Sequence, residues 1–213
     1  VHPIHFDVDF SKTHDTSKAI SDVIGELFSE SRSLDIMIYG RKTQHLSEIA
    51  NGVIQRVKLA TTLRHHNKLQ SKIDNSIFIL LESLQDLDNF NENAQLSKSI
   101  SPHTKVLIYV EKFQFSKIKI FIANTMPRKL DADENSMHQY EYFTGYDGTK
   151  NIVVISTLKY FSELGCNQLI VKPLNYYDRE FKKWQLDGKI IQENRFSTFY
   201  GCHLVMLKED ANY

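Results

Sequence analysis

The sequence predicts an α/β fold: a mostly parallel sheet flanked by helices, with antiparallel strands in the C-terminal part. Three observations carry this. Amphipathic stripes alternate with short apolar runs through the first half, the order that a parallel sheet with helical crossovers requires. Ile77 to Leu81 and Val106 to Val110 are apolar throughout, as strands buried on both faces are. Beyond His138 the clear helical stripes stop, and an Asp147-Gly148 pair separates two strand-like runs, a strong hairpin signal.

The first element is a helix over Thr16 to Ser31. Ile20, Val23, Ile24, Leu27 and Phe28 share one face, and Thr16 or Ser17 serves as N-cap. Leu34 to Tyr39 follows as a strand that stops at Gly40. Leu46, Ile49, Ala50, Val53, Ile54 and Val57 then form the clearest apolar stripe in the chain. Thr61 to His65 is a short strand, and the polar stretch after it a loop.

Ser76 to Leu81 is the next strand. Ser83 caps the helix after it, with Asp86 three residues on in a near capping box. Leu84, Leu87, Phe90 and Ala94 support that helix, and Pro102 marks its stop. Val106 to Val110 is a buried strand, Ile118 to Ile122 a further strand, and Thr125 to Ser136 a polar loop. His138 to Phe143 and Ile152 to Ile155 read as strands around a Gly145-Tyr146-Asp147-Gly148 turn. Gln168 to Val171 reads as a short strand ending at Pro173, Asp178 to Trp184 as a helical turn, and Phe199 to Leu207 as a closing strand.

Composition narrows the function classes. The 213 residues suit one large domain, or one domain plus a fragment, and 41% hydrophobic with 24% charged residues is ordinary for a globular protein. Lys plus Arg balance Asp plus Glu at 26 each. No basic field exists for phosphate backbones, so nucleic acid is not an expected partner. No apolar run approaches the roughly 20 residues of a spanning helix. The chain opens at Val1 and closes on Asp210-Ala211-Asn212-Tyr213, which suggests a processed or cut piece of a longer protein. Its two cysteines, Cys166 and Cys202, allow two thiols or one bridge. A bridge would close a loop of about 37 residues and stabilise by roughly 3–4 kcal/mol.

Catalytic signatures do not occur. The sequence has no Gly-x-Ser-x-Gly elbow, phosphate-cradling loop, His-Glu-x-x-His or Cys-x-x-Cys. We therefore expect neither enzyme activity nor a cofactor. The nine histidines do not read as chelators: adjacent His65 and His66 point to different faces on regular structure, and His2 and His5 would share a face only on a helix that Pro3 argues against. Asp131, Asp133 and Asn135 mimic half a calcium loop, but Ser136 and Tyr142 occupy the positions that need Gly and Glu. No Asn-x-Ser/Thr glycosylation site occurs. Tyr140, Tyr142, Phe143, Tyr176 and Tyr177 read as packing residues rather than a ligand cage.

Ligands of open α/β sheets sit at the carboxyl ends of the strands, near a reversal of strand order. Candidates there are Tyr39-Gly40-Arg41, Glu82-Ser83 and Glu111-Lys112. Tyr39, Arg41 and Ser83 stand out as ligand-binding candidates. Arg41 has the fork to grip a carboxylate, although a solvated turn arginine is the simpler reading.

One ordered series is more specific. Thr157-Leu158-Lys159-Tyr160-Phe161 is followed by Cys166-Asn167-Gln168-Leu169, then Trp184, then Gly201-Cys202-His203-Leu204-Val205. The series resembles the segment before the ligand-binding lobe in arthropod chemosensory ionotropic receptors, divergent relatives of the ionotropic glutamate receptors. Leu174-Asn175-Tyr176-Tyr177 departs from the asparagine-phenylalanine pair common there. The resemblance implies a periplasmic-binding-protein-like lobe, with residues 1–198 as an amino-terminal ectodomain and 199–213 as the start of the ligand-binding lobe. It implies a non-enzymatic part of a ligand-gated cation channel, on the extracellular side of the plasma membrane. It further implies a Cys166–Cys202 disulfide, co-receptor subunits as partners, and an odorant or tastant as ligand. The alternative is a soluble intracellular α/β module or a degenerate enzyme.

Overall fold

The computed structural model describes residues 10–40, 44–65, 76–86, 89, 104–111, 142–162 and 165–191. Helices α1 (Phe10–Leu27) and α2 (Gln44–Ile54) accompany eight strands: β1 (Ser33–Tyr39), β2 (Ala60–His65), β3 (Ser76–Leu81), β4 (Val106–Val110), β5 (Tyr142–Asp147), β6 (Ile152–Ser162), β7 (Gly165–Asp178) and β8 (Lys183–Trp184). They form one sheet in the order β2-β1-β3-β4-β5-β6-β7-β8. The five strands β2-β1-β3-β4-β5 run parallel. The rest of the sheet is antiparallel. The fold is thus mixed α/β, with the antiparallel strands C-terminal.

Every residue of β3 and β4 is buried, which explains their uniformly apolar sequence. One face of the sheet presents Leu34, Ile36, Ile38, Phe78, Leu80, Leu107 and Tyr109 to the stripes of α1 and α2. The other gathers Met37, Ile77, Ile79, Ile108, Val110, Phe143 and Val154, with Leu84 packed against it. Tyr142, Phe143 and Tyr177 are buried packing residues, in line with the sequence reading.

Several boundaries differ from the sequence reading. Helix α1 begins at Phe10 and ends at Leu27, so Thr16 and Ser17 lie inside it rather than capping it. Its hydroxyls bond back one turn: Ser17 Oγ donates to Thr13 O (2.8 Å) and Ser21 Oγ to Ser17 O (2.7 Å). That satisfies polar side chains in a helix interior without breaking it. Ser17 Oγ also lies 3.2 Å from Ile49 O, where α1 crosses α2. The crossing is close because α2 carries Gly52: a Cβ there would meet Ser17 Oγ at 2.5 Å and Ser17 Cβ at 2.7 Å.

The hairpin turn lies later than predicted. Gly145, Tyr146 and Asp147 belong to β5, and the turn is 148–151. Asp147 Oδ1 accepts the Thr149 N–H (3.0 Å) and hydroxyl (2.7 Å), and Asn151 takes the left-handed conformation at φ 53°. The carboxylate folds the chain two residues on, as Asx turns do.

Strand β7 is far longer than the predicted Gln168–Val171 segment. It passes through Pro173 at a register irregularity, with Ser156 opposite Pro173 and Ile155 opposite Asn175. Leu174 is the extra residue, and a bulge tolerates a residue with no N–H. The predicted helical turn after Asp178 is a tight turn over 179–182. Asp178 Oδ1 accepts the N–H groups of Glu180 (2.9 Å) and Phe181 (3.0 Å). Lys183 and Trp184 then pair back on β7 as β8. The predicted strands Ile118–Ile122 and Phe199–Leu207 and the Thr125–Ser136 loop lie outside the described residues, as does the helix from Ser83 beyond its first turn. No helix among the described residues is long and apolar enough to cross a membrane.

Candidate functional site

Strand order reverses between β1 and β3, so the carboxyl ends of β1, β3 and β4 lie side by side. This is the place where open α/β sheets bind ligands. The fold brings two of the three sequence candidates together there. Tyr39 ends β1 opposite Leu81, and Ser83 lies two residues beyond Leu81. Arg41 and Lys112 lie outside the described residues.

Gly40 makes the tight exit from β1. Its φ of +141° suits glycine, and a Cβ there would sit 3.5 Å from Glu82 Cβ and 3.7 Å from Asp86 Oδ2. Ser83 is committed locally: its N–H and hydroxyl both donate to Asp86 Oδ2 at 2.9 Å. Asp86 thus reaches back to the cap residue, as the near capping box predicts. Tyr39 is buried beneath this turn. Burial first, and the Asp86 charge second, raise its phenol above the ordinary value.

His45 closes the rim from the first turn of α2. Its Nε2 lies 3.5 Å from Glu111 Oε1, just past β4. Its Nδ1 lies 3.4 Å from Thr13 Oγ1 on α1 and 3.9 Å from Glu48 Oε2. One imidazole therefore joins α1, α2 and the end of β4. Sequence reasoning missed His45 and Glu48 as rim residues, since neither sits in a motif. The one available signal was that α2 must start where β1 ends.

The strand ends carry several carboxylates: Glu48 and Glu111 flank the His45 imidazole, and Glu82 and Asp86 lie against the Gly40 turn. Such a set suits a ligand that offers hydrogen-bond donors. Among the described residues no group of three or more His, Cys, Asp or Glu is arranged to hold a metal ion. The Ser83 hydroxyl goes to a carboxylate and not to an imidazole, so Ser83 and His45 do not form a nucleophile–base pair.

The segment after the sheet is tied to α1. Trp184 Nε1 donates to Asp22 Oδ2 (3.2 Å), and the Tyr177 and Trp184 rings meet edge to face at 5.4 Å. Glu26 accepts the N–H groups of Ile190 (2.7 Å) and Ile191 (2.8 Å) on its two carboxylate oxygens. Asn175 fixes the middle of the segment, accepting the Leu186 N–H (3.1 Å) and donating to its carbonyl (3.2 Å). Cys166 lies in β7 with Phe161 as its strand partner. Cys202 lies outside the described residues.

No protein-family model matches this chain, and no curated protein matches it. Among solved structures, the hypoxanthine-guanine phosphoribosyl transferase of L. donovani is similar at a TM-score of 0.30 and 11% identity, over 53% of this chain and 75% of that one.

Proposed function

We propose that this chain is the amino-terminal ectodomain of a chemosensory ionotropic receptor, serving ligand recognition or subunit assembly in a ligand-gated cation channel. The observation that carries the reading is the Cys166-Asn167-Gln168-Leu169, Trp184 and Gly201-Cys202-His203-Leu204-Val205 series. An open α/β sheet with a carboxylate-rich strand-end rim supports it, because such sheets present ligands at that edge. The Asp22 and Glu26 contacts add a mechanical element. They fix the segment leading from β8 toward Cys202 against a helix that also lines the rim. On this reading Cys166 and Cys202 form a bridge in the extracellular space, where disulfides persist. The partners are co-receptor subunits, and the ligand is a small odorant or tastant.

Secretion from insect cells followed by non-reducing peptide mapping tests the reading. A linked Cys166–Cys202 peptide is expected. Two free thiols in natively secreted protein would sink it. Surface labelling of an N-terminally tagged full-length protein in unpermeabilised cells tests location separately.

A further inference from the structure

The segment after β8 is clamped on both sides of a short exposed stretch. Asn175 holds Leu186 through its N–H (3.1 Å) and its carbonyl (3.2 Å). Glu26 accepts the N–H groups of Ile190 (2.7 Å) and Ile191 (2.8 Å). Asp187, Gly188 and Lys189 span the interval, and all three are exposed and outside any helix or strand. Gly188 adopts φ +96°, a conformation that favours glycine.

An aspartate followed by glycine can react with its own backbone. The glycine nitrogen attacks the protonated side-chain carboxyl, a C–N bond forms, and the carboxyl hydroxyl leaves as water with the amide proton. The five-membered succinimide then takes up water at either carbonyl. One opening restores aspartate. The other routes the main chain through the β-carbon and leaves isoaspartate. Water is released and then consumed, so the net composition is unchanged. The reaction needs a backbone free to turn the nitrogen onto the carboxyl, and ordered backbone reacts only through its open fraction.

Three Asn-Gly or Asp-Gly pairs occur: Asn51-Gly52, Asp147-Gly148 and Asp187-Gly188. The fold guards the first two. Asn51-Gly52 lies within α2, where the Asn51 carbonyl accepts the Gln55 N–H (3.1 Å) and Gly52 packs against Ser17. Asp147 Oδ1 is bonded to the Thr149 hydroxyl and N–H, which holds that carboxyl below its ordinary value and so in the unreactive ionised form. Asp187-Gly188 has no helix or ladder around it, only the clamps at Leu186 and Ile190.

We infer that Asp187-Gly188 is a site of spontaneous aspartate isomerisation, and that the isoaspartate formed there loosens the segment after β8 from α1. Isoaspartate adds one carbon to the main chain between the two clamps. Leu186 is held by two bonds just beyond β8, so the mismatch falls on Ile190 and Ile191, whose N–H groups must meet two oxygens of one carboxylate. The modification is independent of the receptor assignment.

Ageing the full 213-residue protein at mildly acidic pH, followed by tryptic mapping, gives the test. Cleavage after Lys183 and Lys189 releases a peptide whose aspartyl and isoaspartyl forms separate against synthetic standards. Isoaspartate should accumulate at Asp187 about tenfold faster than at Asp147 or Asn51, and in urea that lead should vanish. Hydrogen exchange at Ile190 and Ile191 should rise in aged protein and stay low in aged Asp187→Glu, whose longer side chain cannot close the five-membered ring. If that variant fails to fold, exchange in the separated aspartyl and isoaspartyl forms of the wild type decides. Isoaspartate arising at Asp187 no faster than at Asp147 or Asn51 would overturn the site. The same lead persisting in urea would overturn selection by the fold. Full protection of Ile190 and Ile191 in the isoaspartyl form would overturn the loosening.

Discussion

The two halves of the sheet are held by different forces. The parallel half, β2-β1-β3-β4, is packed mainly by apolar side chains, with one polar tie from Arg64 Nε of β2 to Asp35 Oδ1 of β1 (2.9 Å). β3 and β4 are buried along their whole length, and α1 and α2 cover one face with a continuous stripe. The antiparallel half, from β5, which pairs parallel to β4 and antiparallel to β6, through β8, is laced by single polar side chains. Asn151, Asn175, Asp178, Asp22 and Glu26 each tie a turn or strap to a neighbour. Apolar burial is non-directional and tolerant of detail, whereas a hydrogen-bonded tie depends on one atom in one place. The contrast predicts that the parallel half sets global stability and the antiparallel half sets local order.

The sharpest way to break that contrast is to cut the parallel core. Phe78→Ala, at the centre of β3, should cost about 3–5 kcal/mol in denaturant unfolding. A loss below about 1 kcal/mol would mean that the parallel half does not dominate stability.

The α1–α2 crossing is the next largest. Gly52→Ala places a methyl group against Ser17, and overpacking of this kind should cost about 1–3 kcal/mol. A neutral result would show that the helices can part without penalty.

Asn175→Ala tests the antiparallel half. It removes the acceptor of the Tyr176 and Leu186 N–H groups and should cost about 1–2 kcal/mol. Hydrogen exchange should rise at 185–191 while β3 and β4 stay protected. Uniform acceleration would merge the two halves into one cooperative unit. Glu26→Gln leaves one of its two acceptor oxygens, so exchange should rise at Ile190 or Ile191 for a loss of about 1 kcal/mol.

The smallest effect is acid sensitivity of the β5–β6 turn. The Thr149 hydroxyl above all, with the Thr149 and Lys150 N–H groups, holds the Asp147 carboxyl below its ordinary value of 3.8. A depressed folded pKa stabilises the fold above the unfolded value and is lost as pH falls through the folded one. Chemical shifts of residues 147–151 should thus report turn loosening only below about pH 4. Thr149→Val should move the Asp147 midpoint upward, and an unchanged midpoint would remove Thr149 as the cause.

Legibility in the sequence follows the same divide. β1, β3, β4 and the stripe of α2 could be read directly, because two-sided burial leaves an apolar run and one-sided burial a helical period. β7 could not be read to its end. Pro173 signals a stop, yet the ladder with β6 continues past it through a bulge that only the partner strand defines. The early start of α1 was hidden because Thr16 and Ser17 look like cap residues until the Ser17 hydroxyl finds the Thr13 carbonyl one turn back. At the rim, Tyr39 and Ser83 were found from strand ends, a rule of topology. His45 was not, because its contact with Glu111 spans 66 positions of the chain (111 minus 45) and leaves no local mark. The burial of Arg179 was missed for a related reason: a buried arginine and a solvated one look the same in a sequence.

The chain by itself determined its fold class, its order of parallel strands and helices, and the position of Tyr39 and Ser83 at the strand ends. Those properties follow from the periodicity and length of apolar segments, which are local. Only the tertiary structure decided where the antiparallel strands end, which carboxylates hold the segment after β8, and that Arg179 is buried with no carboxylate partner among the described residues. Those outcomes depend on which distant groups meet, and burial and partnership are properties of the assembled molecule.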